Sequence, residues 1–176
     1  MTTSASTDFP GKATPAELLY PDLAQELAMT RKMIALVPDG QDDWKPHEKS
    51  MSLAKLASHV AELPVFANMI LTTDELDMAT ADMSTKVLSS TADRLALFDK
   101  VAAEFSAGVE RADWAQVAGS WTLRAGAQVY LSGRKATLVR TMGISHLSHH
   151  RAQLGVYLRQ LGVPIPGAYG PSADEM

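Results

Sequence analysis

The sequence contains no cysteine. This absence excludes disulfide bonds, metal sites built from thiolates and a cysteine nucleophile. It is compatible with a cytoplasmic location, which we expect here, because disulfides belong mainly to oxidising compartments. The first twelve residues, MTTSASTDFPGK, also lack the charged start and the apolar stretch of a signal peptide.

Long hydrophobic runs and basic clusters are missing as well. No segment approaches the roughly 20 continuous apolar residues of a membrane-spanning helix, so we expect no membrane partner. The formal net charge is −4, without any long basic run, so we expect no nucleic-acid partner. The 176 residues are 46% hydrophobic and 20% charged, which is typical of one globular domain. We predict a single domain over 1–176, with 1–14 as a poorly ordered lead-in.

The spacing of apolar residues predicts an all-α fold. Residues three and four apart form apolar stripes in four segments, at about 16–37, 52–71, 91–109 and 136–161. Ser50 or Ser52 is a candidate N-cap for the second helix, and Gly162 ends the last one. In 110–135, glycines and aromatic or β-branched residues break the helical period. We interpret this part as a long irregular connection before the last helix, with room for a short hairpin.

Three histidines carry the main chemical signal. His146 and His150 are four residues apart, so they project from one helix face with Cβ atoms roughly 5–6 Å apart. His59 lies on an apolar face of the second predicted helix, so we expect it to point into the bundle. Together they could form a three-nitrogen metal site with an open coordination position. The alternative for His59 is an ordinary buried histidine, but two buried imidazoles without a shared partner would be costly.

The remaining motifs narrow the chemistry. Leu147 follows His146, so the HExxH zincin motif is absent, and no GxSxG, Walker or dinucleotide motif is present. His149 could lie behind the metal ligands or on the surface, and His47 is expected in an exposed loop. The three tryptophans are expected in the core or the pocket wall: Trp44, Trp114 and Trp121.

Three further residues could serve the site, and each has a structural alternative. Glu62 follows His59 by three residues; it could orient that histidine or act as a base, or it could be a surface carboxylate. Tyr157 could donate a hydrogen bond into the pocket, or it could simply pack there. Gly143 lies one turn before His146, where it could leave room beside a metal or allow close contact between helices.

At residues 146–175, HLSHHRAQLGVYLRQLGVPIPGAYGPSADE, the chain resembles the DinB family of damage-inducible proteins. The match lies in His146, His150 and Arg151, in the Gln-Leu and Tyr-Leu-Arg steps that follow, and in the tail. Upstream, DWKPHEKSMSLAKLASHVAEL resembles the entry into the second helix of that family, with its histidine at His59. The resemblance covers the second and fourth helices well and the middle of the chain weakly.

The resemblance implies a four-helix bundle of the DinB/YfiT-like type that is often dimeric. It implies one divalent metal ion on His59, His146 and His150, with zinc or nickel ahead of iron. The superfamily includes thiol-dependent transferases and isomerases, so a low-molecular-weight thiol and a small-molecule substrate are expected partners. Arg151, or else Arg159 or Arg124, could bind a carboxylate on such a thiol; the alternative for each is a surface ion pair.

Two classes of function follow from these residues. The first is a metal-dependent enzyme, either a thiol S-transferase or a metal-assisted hydrolase. The second is a non-catalytic metal-binding or stress-response module, which we expect to be a homodimer. A helical dimerisation scaffold that does not use its histidines is a weaker third possibility. A carboxylate that fills the fourth metal position would favour the second class, and Glu62 is the residue to inspect.

Overall fold

The computed structural model describes residues 13–82, 84 and 86–176. It is mostly helical, and its helices are α1 (Pro15–Leu19), α2 (Leu23–Ala35), α3 (Leu53–Thr72), α4 (Thr91–Arg111), α5 (Trp114–Ala118), α6 (Lys135–Leu138) and α7 (His146–Gln160). A π-helical segment, Val139–Ser145, joins α6 to α7. Its strands are β1 (Glu75–Asp77), β2 (Ser120–Ala125) and β3 (Gln128–Arg134). Most of the predicted lead-in, 1–12, lies outside the described residues.

The prediction of a single helix over 16–37 is wrong, because this segment forms two helices, α1 and α2. Thr14 caps α1 with a complete capping box: its side chain accepts from the Glu17 N–H, and the Glu17 carboxylate accepts from the Thr14 N–H. Pro21 then disfavours a helical conformation at Tyr20, which has φ −136° and ψ 46°. A new helix begins two residues later.

The second and third predicted helices are confirmed. Ser52 caps α3 by accepting a hydrogen bond from the Lys55 N–H, and Ser90 caps α4 by accepting one from the Asp93 N–H. Helix α3 packs against α4, α7 and the π-helical segment. It supplies a large share of the buried core, with Leu53, Leu56, Ala57, Val60, Ala61, Leu63, Ala67, Ile70 and Leu71 all at 3% exposure or less.

The last predicted helix, 136–161, is helical throughout 135–160, but it is not a uniform α-helix. The π-helical segment widens it just before the first site histidine, and the His146 N–H donates to the Thr141 carbonyl five residues back. The helix ends at Gly162, whose φ of 74° is the left-handed conformation that glycine adopts at helix ends.

The all-α assignment is wrong for the connection before the last helix. Strands β2 and β3 form an antiparallel hairpin, which confirms the hairpin allowed for 110–135, and β1 pairs with β2 in parallel in the order β1-β2-β3. Trp121 of β2 is fully buried and packs edge-on against Phe66 of α3, and its ring N–H donates to Thr73. This one side chain anchors the sheet to the helix that carries His59.

The other two tryptophans lie farther from the core. Trp44 is half-buried and meets the Tyr157 ring edge-on at 5.4 Å. Trp114, at the first position of α5, is 49% exposed, so the expectation of a core or pocket role is wrong for this residue. Within the described part of the chain, no helix has both the length and the apolar character needed to cross a membrane.

Candidate metal centre

The three predicted histidines meet between α3 and α7. His59 projects from α3, and His146 and His150 project from the first two turns of α7. Their ring centroids are 4.6 to 5.6 Å apart, and one ligand nitrogen from each lies within 4.8 Å of the others. The i, i+4 spacing places the pair on α7, and the packing of α7 on α3 adds the third ring.

Two of the imidazoles have a hydrogen-bond partner behind them. Nδ1 of His59 lies 3.2 Å from Oε1 of Glu62, and Nδ1 of His150 lies 2.7 Å from Oε1 of Gln153. Because both partners are acceptors, each Nδ1 carries the proton and each Nε2 keeps a free lone pair. Metal-ligating histidines typically have this outer contact, which fixes both the tautomer and the ring orientation.

The contact between the two α7 imidazoles favours a cation. Nε2 of His146 lies 2.8 Å from Nε2 of His150. Since His150 is protonated on Nδ1, the bond without a cation requires a proton on Nε2 of His146. Nδ1 of His146 would then be an unprotonated acceptor, and this buried atom has no hydrogen-bond partner among the described residues. A cation bound by both Nε2 atoms would replace the hydrogen bond between them, so that neither ring has to donate to the other, and the donor set fits a metal ion.

Burial favours the neutral form of the two imidazoles on α7. Removal from water lowers the pKa of His150 to about 4, although the hydrogen bond that its Nδ1–H donates to Gln153 opposes this shift. Burial, followed by the nearby His59 ring, also lowers the pKa of His146. The Met142 carbonyl opposes this shift and raises the pKa of His146. Because a histidine must be neutral to ligate a metal, the two rings are ready to bind at neutral pH.

Within the described ranges, the cluster of metal-capable side chains holds these three histidines and no carboxylate. Glu62 is the nearby acid, and it contacts the outer nitrogen of His59. The structure thus supports its orienting role. Three protein ligands with an open position are characteristic of catalytic metal sites.

Two cavities border His59, and both are also lined by Glu62. The larger, of about 450 Å³, reaches His146 and has a mostly apolar wall of Leu63, Val65, Phe66, Met69, Leu76, Ala81 and Met142. The smaller, of about 220 Å³, is lined by Met51, Lys55, Ser58, Lys86 and Val87. His59 therefore borders both an apolar space and a space lined by two lysines.

The remaining predicted residues lie outside the cluster. Tyr157 is 8% exposed and its hydroxyl donates to the Met51 carbonyl, which supports the packing alternative. His149 is exposed, with its ring 4.8 Å from the ring of His150, and His47 is exposed in its loop as expected.

The three arginines are engaged in ion pairs. Arg151 is 3% exposed and lies 2.8 Å from the buried carboxylate of Glu26. The other two pair with exposed or half-buried acids: Arg159 with Asp174, and Arg124 with Glu75 and Asp77. A surface ion pair is thus supported for Arg159 and Arg124, whereas Arg151, the candidate for cofactor binding, forms a buried ion pair and not a surface one.

Sequence reasoning missed Gln153 as an orienting residue. The available signal was its spacing, because Gln153 follows His150 by three residues just as Glu62 follows His59. Lys55 was also missed, although it precedes His59 by four residues on the same helix face. Lys86 had no comparable signal, because it reaches the cavity from a non-helical segment.

The fold and the site define a mostly helical protein with a candidate three-histidine metal centre. A model of the DinB family matches residues 10–176, and the chain belongs to this family. Solved structures of DinB-like proteins share the fold. One, YjoA from Bacillus subtilis, has a TM-score of 0.64 at 18% identity and covers 85% of this chain and 96% of its own. Another, from Bacillus cereus ATCC 10987, has a TM-score of 0.64 at 19% identity and covers 87% and 97%.

A short segment is also similar to a protein of uncharacterised function. It is 50% identical over 32 residues to the uncharacterised protein YrdA of Bacillus subtilis strain 168. The aligned segment covers 18% of this chain and 19% of that relative.

Proposed function

We propose that this protein is a divalent-metal enzyme that transfers a small thiol to an apolar electrophilic substrate. The observation that carries the proposal is the set of three converging imidazoles, two of them oriented by Glu62 and Gln153, beside a mostly apolar cavity of about 450 Å³. Zinc or nickel suits three imidazole nitrogens, and iron is a further candidate.

His59, His146 and His150 would hold the ion through their Nε2 atoms. The ion would supply Lewis acidity, which lowers the pKa of a thiol or water in the open position. The thiol is the favoured nucleophile because the family resemblance points to low-molecular-weight thiols. The apolar wall around Phe66 and Met69 would exclude water from the electrophile and so limit hydrolysis.

Glu62 has two tasks in this proposal. Its contact with Nδ1 holds the His59 ring in place, and its carboxylate lines both cavities, where it could accept the thiol proton. The new bond joins sulfur to the electrophilic carbon, while the leaving group departs from that carbon with its electron pair. Tyr157 and Arg151 take no part, since both are engaged elsewhere.

The first test is elemental analysis of the protein purified without an affinity tag. We expect about one divalent ion per chain in the wild type and loss of that ion in His59→Ala, His146→Ala and His150→Ala, because each change removes a ligand. Circular dichroism should report helical content near the wild-type value. His149 is exposed and directly precedes the ligand His150, so the His149→Ala variant should keep the full metal content.

A full metal complement in any one of the three ligand variants would contradict the assignment. The reaction is tested separately, with cobalt(II)-loaded protein whose visible absorption changes when a thiolate binds. Metal without any spectral response to thiols would instead favour a metal-assisted hydrolase or a non-catalytic metal-binding module.

A further inference from the structure

Two lysines line the smaller cavity beside His59. Lys55 and Lys86 both contribute to this space of about 220 Å³. Lys55 precedes His59 by four residues on α3, so their Cβ atoms are roughly 5–6 Å apart. Both lysines are exposed at the cavity mouth, and neither forms an ion pair with a described carboxylate. Their positive charge is therefore free to act on a ligand.

The segment that carries Lys86 is fastened to the bundle. Ser58 of α3 accepts a hydrogen bond from the Leu88 N–H at 2.8 Å and donates one to the Leu88 carbonyl at 3.4 Å. Arg94 of α4, which is fully buried, donates two further hydrogen bonds to the same carbonyl. Leu88 is thus held by two helices, and Lys86, two residues earlier, is kept beside the metal centre.

The surface along α3 changes character in a fixed order. An α-helix rises about 1.5 Å per residue, so Lys55 precedes His59 by about 6 Å along the axis, and Phe66 follows by about 10 Å. Along α3, positive charge therefore lies on the N-terminal side of His59, and apolar surface lies on its C-terminal side. The partial positive charge at the N-terminus of α3 adds to the positive charge of Lys55. Glu62 opposes it with one negative charge, but its contact is with His59.

We infer that Lys55 and Lys86 form a subsite for an anionic group on the thiol substrate. This inference rests on the proposed function and assigns the two cavities to the two substrates. The thiol would carry a carboxylate about 6 Å from its sulfur and bind with that group between the lysines. The electrophile would occupy the apolar cavity on the other side of His59.

The test compares two thiols of equal length on cobalt(II)-loaded protein. The probes are 4-mercaptobutanoate, which is anionic, and 4-mercaptobutanol, which is neutral. The carboxylate can form two partly exposed ion pairs, with Lys55 and Lys86. The dissociation constant of the anionic thiol should therefore be about fivefold lower than that of the neutral thiol. This preference should disappear in the Lys55→Gln/Lys86→Gln variant and weaken in 1 M salt, where charges are screened within about 3 Å. Metal content should remain unchanged, since neither lysine is a ligand.

Lys100→Gln provides the matched control. Lys100 is an exposed lysine of α4 that lines neither cavity, so this variant should keep the wild-type preference. Equal binding of the two thiols to the wild type, or a preference that survives in the double variant, would overturn the anionic subsite and leave the proposed function standing. If the wild-type protein binds no metal, or if the spectrum of its cobalt form does not change with either thiol, both the anionic subsite and the proposed function are overturned.

Discussion

At the scale of single residues, the site depends on two repeats of one spacing. Glu62 follows His59, and Gln153 follows His150, by three residues, and each accepts a hydrogen bond from the outer nitrogen of its histidine. The spacing brings the two side chains together on one helix face. The spacing is visible in the sequence, but whether it orients metal ligands depends on the direction in which the Nε2 atoms of His59 and His150 point. That direction follows from the packing of α3 against α7.

The lowered pKa of His150 predicts a pH dependence of stability. Its folded-state pKa is about 4, below the value near 6.5 of an unburied histidine, so the unfolded chain binds more protons between these values. The free energy of unfolding of the metal-free protein should therefore decrease as the pH falls from about 6.5 towards 4, and His150 should contribute its full stabilisation above pH 6.5.

Urea unfolding with a chelator present, at several pH values between 7 and 5, measures this slope. His150→Gln should reduce the slope, and His47→Ala, at an exposed loop position, serves as the control. An unchanged slope in His150→Gln would mean that other groups cause the pH dependence.

At the scale of elements, the π-helical segment is placed by a close contact. A Cβ atom on Gly143 would lie 2.7 Å from the Cβ atom of Ala67 on α3, closer than such atoms approach in real proteins. Of the two interpretations of Gly143, close contact between helices is therefore the one the structure supports. The contact lies one turn before His146, so it also sets the distance between the helices that carry the three histidines.

Gly143→Ala should destabilise the protein by up to about 2 kcal/mol, because overpacking costs typically about 1–3 kcal/mol and the gain in helix propensity is about 1 kcal/mol. Urea unfolding measures the loss. Adding Ala67→Gly should recover part of it, since the two residues are in direct contact and their effects are not additive.

Gly155→Ala in α7 is the matched control. There the new methyl group would meet the flexible end of Met33 at 3.1 Å, which can move aside. A loss in this control as large as the loss in Gly143→Ala would show that the effect does not come from the contact with Ala67.

The small sheet illustrates why some elements escape prediction. Strand β1 has three residues and lies in a polar stretch, and it pairs in parallel with β2, about 45 residues later in the chain. Arg124 joins the two strands by ion pairs to Glu75 and Asp77. No local pattern marks such a strand, because its hydrogen bonds and charge partners lie far away in sequence.

At the scale of the whole molecule, a buried ion pair joins α2, α7 and the C-terminal segment. Arg151 donates to the Glu26 backbone and pairs with the Glu26 carboxylate, and both side chains are at most 5% exposed. Tyr169 of the C-terminal segment accepts a hydrogen bond from Arg151 and donates one to Glu26. The arginine that follows the last site histidine is therefore a structural link on the other side of α7.

Arg151→Met should destabilise the protein by about 3–5 kcal/mol, because it leaves the buried Glu26 carboxylate without its cationic partner. Arg159→Met is the matched control: its pair with Asp174 is partly exposed, so the loss should stay below about 1 kcal/mol.

Metal content, measured on folded protein, should be unchanged in both arginine variants. A selective loss of metal or of thiol binding in a folded Arg151→Met protein would show that Arg151 does contribute to the candidate site. The homodimer implied by the family resemblance stays a prediction, and sedimentation of the purified protein would measure it.

Local patterns in the chain were sufficient to predict the spans of α3 and α4, the ends of the last helix and the pairing of His146 with His150. These features depend on residues within a few positions of one another, so periodicity, caps and spacing encode them. The meeting of His59 with that pair, the two cavities, the β1–β2 pairing and the burial of Arg151 depend on contacts between distant segments. Such contacts arise when helices and strands pack, because the packing sets which polar groups share an interior and must satisfy one another.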